Sequence, residues 1–184
     1  MIDKQNKKLE QLNTLIEMTS LINSTLNPAM VRKKAVEAVT RLLDTEAGSL
    51  LLTDQKTGDL FFEVALGEKG EEIKSVRLKK GVGIAGWVVA HDEPVMTNNA
   101  CSDPRFFVDV DAKSGFVTRS MICVPVKSKD RILGALQAIN IIDGDFEEDD
   151  VLILQALANQ VAVAIENARL YQESVTDGLT GLYT

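Results

Sequence analysis

The spacing of apolar residues changes period twice along this chain, which limits the fold more than any single motif does. At the start Ile2, Leu9, Ile16 and Asn23 fall seven apart, with Leu12, Thr19 and Leu26 as a second row, among Lys4, Lys7, Lys8, Glu10 and Glu17. That is the stripe of a helix over residues 1–26, with about three heptads of coiled-coil character. Asn27-Pro28 reads as an N-cap followed by a proline in the first helical position. A second helix is expected from Pro28 to about Leu43, burying Val31, Ala35, Val39 and Leu42. From residue 47 the period drops to that of strands. AGSLLLTD and LFFEVALG are joined by the turn-rich DQKTGD, with VRLK as a weaker strand after them. GVGIAGWVVAHD reads as a short apolar helix carrying Trp87, and PVMTN as another strand. ACSDPRFFVDVDAKSG is a loop or irregular helix, and RSMICVPVKSKD and RILGALQAINIID are two longer strands. The helical period then returns from about Glu147 to Ser174, with Leu154, Val161, Ala168 and Val175 in one row and Leu157, Ala164 and Tyr171 in the second. Acidic residues fill the first turn of this helix, where its dipole favours them. Strands broken by one helical insertion and flanked by long helices predict an α+β fold around a central antiparallel sheet of about six strands.

The chain has 184 residues, a formal net charge of −7 and 45% hydrophobic residues. That suits one domain with attached helices and excludes wholesale disorder. No run is read as approaching the ~20 apolar residues of a membrane span, so no membrane partner is expected. The acidic balance without a basic patch argues against nucleic acid. The two cysteines, Cys101 and Cys123, and the one histidine, His91, are too few for a four-ligand zinc site. Without a secretory leader they read as reduced thiols in a cytoplasmic protein, and His91 as a solvated loop residue. No metal ligand set and no catalytic residue is expected.

GVGIAGWVVAHDEPVMTNNACSDPRF, then RSMICVPVKSKDRILGALQAIN and a long helix, resemble the GAF domain family over residues 27–172. The tail Asp177-Gly178-Leu179-Thr180-Gly181-Leu182 is similar to the D-x-L-T-G-L opening of GGDEF diguanylate cyclase domains, although Tyr183-Thr184 departs from the asparagine that usually follows. The two resemblances imply an N-terminal signalling helix over 1–26, a sensor over 27–172, and over 173–184 a linker with the beginning of a truncated cyclase domain, as in a piece of a larger GAF–GGDEF sensor protein.

The GAF resemblance also implies a small-molecule pocket on one sheet face, lidded by about Gly81 to Phe107. Trp87, Phe106, Phe107 and Met121 would be its walls, Asn98, Asp103, Arg105 and Arg119 its anchors, with Cys123 on the facing strand. Core positions for Trp87 and Met121, and a loop-fixing turn at Asp103-Pro104-Arg105, are the alternative. The ligand is unknown. Cyclic nucleotide stays open on an incomplete motif: Asn140, Phe146 and Asp150 of the family's N-K…F-x-x-x-D-E pattern are kept, but Ile141 and Val151 replace the lysine and glutamate. Bilin is disfavoured because neither cysteine neighbours a histidine, and haem because His91 is the sole candidate axial ligand. Cys101 sits in a loop as a candidate redox thiol beside Asp103 and Asp109, whose charge would raise a thiol pKa; Cys123 reads as buried and inert.

The function these features predict is a regulatory sensor that forms a homodimer through its terminal helices and controls a downstream cyclase. A dimerisation module with no ligand and a GAF-fold redox enzyme are the competing readings.

Overall fold

A computed structural model describes residues 2–24 and 27–180. Six helices and six strands follow one another as α1 (Ile2–Ser24), α2 (Pro28–Leu42), β1 (Thr45–Thr53), β2 (Leu60–Leu66), α3 (Gly70–Ile73), β3 (Arg77–Leu78), α4 (Gly83–His91), β4 (Val95–Thr97), α5 (Val108–Ser114), β5 (Met121–Ser128), β6 (Arg131–Ile141) and α6 (Glu148–Thr180), with a short 3₁₀ turn at Ala100–Ser102. The strands form a single sheet in the order β3-β2-β1-β6-β5-β4, and every neighbouring pair is antiparallel.

The local causes are visible in the letters. Asn27 caps α2, its Oδ1 accepting from the amides of Ala29 at 3.1 Å and Met30 at 3.3 Å, and Pro28 sits where no amide hydrogen is needed. Leu50, Ile122, Val124, Leu136 and Ala138 send their side chains to one face of the sheet, where α2 and α6 cover them. The intervening residues Leu51, Met121, Cys123, Ala135 and Ile139 turn to the other face, beneath α4. Gly134 stands at the crossing of β1, β6 and β5, paired with Leu52 on one side and Val126 on the other. A Cβ there would lie 1.9 Å from the Leu51 carbonyl oxygen, so the strands can close only over glycine.

Four sequence expectations change. The chain forms a short helix, α3, where none was expected, and His91 is the last residue of α4 instead of a loop residue. α6 runs on to Thr180, through the first four residues of the GGDEF-like tail; Gly181 and Leu182, like Leu26 of the first stripe, lie outside the described residues. By length and composition the segment Glu148–Tyr171 also passes for a membrane-spanning helix, against the sequence expectation. Its apolar character has a local use, since Leu154, Leu157, Ala158 and Val161 are fully buried in the core.

The same burial divides the heptad rows. Leu154, Leu157, Val161 and Ala164 are spent within the domain, whereas Tyr171 is 55% exposed. In α1 the packed residues are Met18 and Ile22, with Leu15 and Leu21 beside them, while the heptad positions Leu9, Leu12 and Ile16 are exposed.

Candidate functional site

On the α4 face the sheet does not fill completely. A cavity of about 70 Å³ lies between the strands and the segments that cross over them. Its floor is Ala47 and Ser49 of β1, Met121 of β5, and Gln137 and Ile139 of β6. Phe62, Phe106, Phe107 and Phe116 form much of its wall, and Lys69 is on the α3 side. Four of the chain's six phenylalanines therefore border one small space. α4 enters it through Gly83, whose φ of 76° is open to glycine and strained for other residues.

The segment from Asp103 to Thr118 lies over the cavity, and its polar residues hold it there. Arg105 binds Asp103 through two bonds of 2.8 and 2.6 Å, and its guanidinium lies 4.7 Å from the ring centre of Trp87. Trp87 is in turn stacked on His91 at 4.2 Å. The Arg105 guanidinium holds the Asp103 carboxyl below its usual range, against the opposing effect of burial. At the far end Asp111 accepts from the Thr118 amide at 2.7 Å and from its hydroxyl at 2.8 Å, closing α5 back onto the start of β5. Phe106, Phe107 and Val110 are thus presented to the cavity by a segment tied at both ends.

The expected pocket residues fall into two groups. Phe106, Phe107 and Met121 line the cavity. Trp87, Asn98, Asp103, Arg105, Arg119 and Cys123 are not among its lining residues. Trp87, Asp103 and Arg105 form the anchor just described, which is the loop-fixing turn of the alternative reading. Asn98 exchanges two bonds with the backbone of Phe146, at 2.9 and 3.2 Å. Arg119 pairs with Glu46 at 2.7 Å beside a shallower depression that shares Lys69 and Phe116 with the cavity. Asn140 completes that corner: its Oδ1 accepts from the Arg119 amide at 2.7 Å and its Nδ2 donates to Glu46 at 2.8 Å. These two side-chain bonds, Arg119 first, hold the Glu46 carboxyl below its ordinary value.

The residues sequence reasoning missed are Ser49, Gln137, Asp111 and Thr118. Ser49 and Gln137 face each other across the β1–β6 pairing, and the Ser49 hydroxyl donates to Gln137 Oε1 at 2.8 Å. Both are buried. A single glutamine inside the apolar run GALQAIN is the one signal that could have marked the site.

The one hydroxyl–carboxylate pair described at the cavity, Thr118 on Asp111, is the bond that closes α5 onto β5. Burial pushes the Cys123 thiol up to about 12, the Gln137 amide opposing only weakly, so it stays protonated and unreactive at neutral pH. Cys101 is exposed, 3.9 Å from the Thr118 carbonyl. No cluster of three or more His, Cys, Asp or Glu side chains that could hold a metal occurs among the described residues. Asp150 accepts from the Glu147 amide at 2.9 Å at the start of α6. With isoleucine at 141, it caps the helix instead of meeting a lysine.

Comparison with known proteins agrees with this architecture. The GAF domain of a phosphoenolpyruvate-protein phosphotransferase from Coxiella burnetii superposes with a TM-score of 0.80 at 23% identity, over 90% of this chain and 98% of that one. Free methionine-R-sulfoxide reductase from Neisseria meningitidis does so with a TM-score of 0.75 at 20% identity, over 88% and 91%. At these identities the likeness is one of fold. In sequence, the chain is similar to a probable 3',5'-cyclic phosphodiesterase of Caenorhabditis elegans, 28% identical over 177 residues that make up 91% of this chain and 24% of that protein. It is also 28% identical to the dual 3',5'-cyclic-AMP and -GMP phosphodiesterase 11 of Drosophila melanogaster, over 91% of this chain and 13% of that protein. The chain thus spans a quarter or less of the length of these curated relatives. The GAF domain family model itself matches residues 28–165, well over half of the chain, and the chain belongs to the GAF domain family.

Proposed function

We propose that this chain is a regulatory sensor, in which a small molecule held in the cavity changes how two copies pair through α1 and α6, and that pairing governs an output domain. The observation that carries the reading is the division of labour across one sheet. A cavity with a tethered cover lies on one face; α2 and α6 cover the other, and α1, packed against those two helices, leaves an apolar stripe uncovered. The strands between them carry cavity and helix contacts on alternate residues, so a side chain displaced on one face shifts its neighbours on the other.

The dimer rests on Leu9, Leu12 and Ile16, each more than half exposed along one line of α1, with Val163 and Leu170 exposed seven apart on α6. A helix of this kind is marginal alone and gains from covering its apolar face. Two packing arrangements of such a pair make a bistable element, which a ligand shifts only by binding one arrangement more tightly. The D-x-L-T-G-L resemblance at 177–182 supports a diguanylate cyclase as the output, and so cyclic di-GMP signalling in the cytoplasm. The curated relatives are phosphodiesterases in which the matched region is at most a quarter of the protein. That supports a module joined to different outputs. A cyclic nucleotide as the ligand has little support: the cavity is small and the family's lysine position is isoleucine.

Native mass spectrometry of the intact chain tests both halves at once. The expected species is a dimer carrying a co-purified small molecule lost on denaturation. A bare monomer at micromolar concentration would sink the reading.

A further inference from the structure

We infer that this chain associates head to tail with further copies of itself, the basic corner at the β3 edge of one sheet meeting the acidic corner at the β4 edge of the next. These surfaces are separate from the cavity, and the inference does not depend on what the cavity holds.

β3 and β4 are the two outer strands of the sheet. On the β3 side Arg77, Lys79 and Lys80 are exposed within four residues, and Lys56 joins them from the β1–β2 turn. Three contacts gather them at one place. The Lys80 amide donates to Asp59 at 3.3 Å, Arg77 lies 3.7 Å from Asp54, and the Lys80 side chain lies against Gly58, where a Cβ would be 3.3 Å from its Cδ. Asp54 spends one oxygen on the amides of Lys56 and Thr57. Even with Asp54 and Asp59 counted the corner keeps an excess of positive charge, and Lys79 and Lys80 are in no ion pair among the described residues. On the β4 side Asp143, Asp145, Glu147, Glu148 and Asp149 are exposed within seven residues, again in no ion pair among the described residues. Asn98, the residue after β4, holds this stretch to the edge through the backbone of Phe146.

The strand registers set the two clusters at diagonally opposite corners. Leu78 and Thr53 both pair with Leu60, so the lysines follow the end where β1 finishes, whereas Ile141 pairs with Thr45 at the end where β1 begins. Across the six strands the edges are roughly 24 Å apart. Exposed charges are largely screened beyond about 10 Å at ordinary salt. Neither cluster can therefore neutralise the other within one copy, and a second copy brings them together without strain. Opposite corners of one molecule make a heterologous contact, which continues into a row or closes into a ring instead of stopping at two. Lysines beside an edge strand also serve simply to repel other strands. The chain's net charge of −7 separates these uses. Copies that only repel come together more readily as salt is added, whereas a contact between opposite charges weakens.

Sedimentation velocity of the whole chain in about 20 mM and about 300 mM sodium chloride tests this. Low salt should give species larger than the unit that persists in high salt, with association at least tenfold weaker in the latter. Lys56→Glu, Lys79→Glu and Lys80→Glu together make both corners acidic and should abolish the growth. Asp143→Lys, Asp145→Lys and Glu147→Lys together make both corners basic, lie ahead of α6, and should abolish it too. Mixed in equal amounts, the two variants should associate with each other in low salt. The single change Lys79→Glu should lower the association severalfold, and it stands in where a triple variant does not fold. Association that strengthens with salt, growth that survives in either triple variant, or a mixture that stays unassociated each overturns the inference. A wild type that does not grow but binds single-stranded DNA or anionic vesicles through the same lysines gives the corner to another polyanion and overturns it as well.

Discussion

Leu50, Ile122, Val124 and Leu136 point from the central strands toward α2 and α6, while Ser49, Met121, Cys123 and Gln137, their immediate neighbours in sequence, point toward α4 and the tethered segment. The first set is wholly aliphatic and fully buried, and the helices close over it with other aliphatic side chains. The second set mixes a hydroxyl, a thioether, a thiol and a carboxamide, and the cover above it is aromatic and incomplete. Same strands, same backbone hydrogen bonds, and the chemistry differs on every other residue. The contrast assigns the two faces different tasks. Dense aliphatic packing maximises burial and contact, and so carries stability. A face with polar atoms and unfilled space gives up part of that stability and gains the ability to respond to what enters.

The comparison is most severely broken at the point both faces share. Gly134→Ala places a methyl group against the Leu51 carbonyl, at a position where the nearest atoms are backbone and cannot swing aside. The sheet must part there, and both faces lose their register. The expected cost is about 4 kcal/mol or more, or loss of soluble protein. Urea denaturation against the wild type measures it, and a cost below about 1 kcal/mol would show that β1 and β6 can slide without harm.

The next pair of changes compares the faces directly. Leu136→Ala removes a fully buried side chain from the helix-covered face and should cost about 3 kcal/mol. Ile139→Ala, three residues on, removes a side chain that already borders empty space, so fewer contacts are lost and about 1–2 kcal/mol is expected. Equal costs would mean that the cavity face is as tightly packed as the other. The small residue at 139 should also widen the cavity, which the NMR shifts of Met121 would report.

How far the sequence reveals this arrangement follows from the range of the interactions involved. Asn27-Pro28 marks the start of α2 because capping acts over three residues. The strands show in their alternation, and the GAF resemblance leads to Phe106, Phe107 and Met121 at the cavity. The pairing of Ser49 with Gln137 joins residues 88 positions apart, and each is an ordinary polar letter in an apolar strand until the register is known. Asn98, Asp103 and Arg105 look like ligand anchors because they are polar and lie in the right segment. Asp103 and Arg105 bind one another two residues apart, and Asn98 binds the backbone of Phe146, 48 residues on, so all three are spent on holding the chain. The heptad rows of α6 are ambiguous for a related reason. Seven-residue spacing describes a helix face equally well whether a partner or the helix's own sheet covers it, and here the sheet covers Leu154, Leu157 and Val161. In α1 the same spacing marks residues the domain leaves exposed.

The smallest expected effect concerns the tether that keeps the cavity face covered. In Asp103→Asn the side chain keeps its size, and its oxygen can still accept from the Arg105 amide, now at 2.9 Å, so the change isolates the charge. Asp103 is 7% exposed and Arg105 31%, and solvent near the arginine screens part of the attraction. A loss of about 1 kcal/mol or less is expected at neutral pH. Its sign with pH follows from the lowered folded-state pKa. The carboxyl is charged in both folded and unfolded chains well above its ordinary 3.8, where its contribution is fully present. As pH falls below 3.8 the unfolded chain takes up the proton first, and the contribution is lost as pH approaches the lower folded value. The stability gap between wild type and Asp103→Asn should therefore be constant from about pH 7 to 5 and shrink on further acidification, as read by urea denaturation of both proteins in parallel. A gap that widens with acid would mean that the Asp103 carboxylate does not hold Arg105 over Trp87, and the cover of the cavity would have to be kept in place by Phe106 and Phe107 alone.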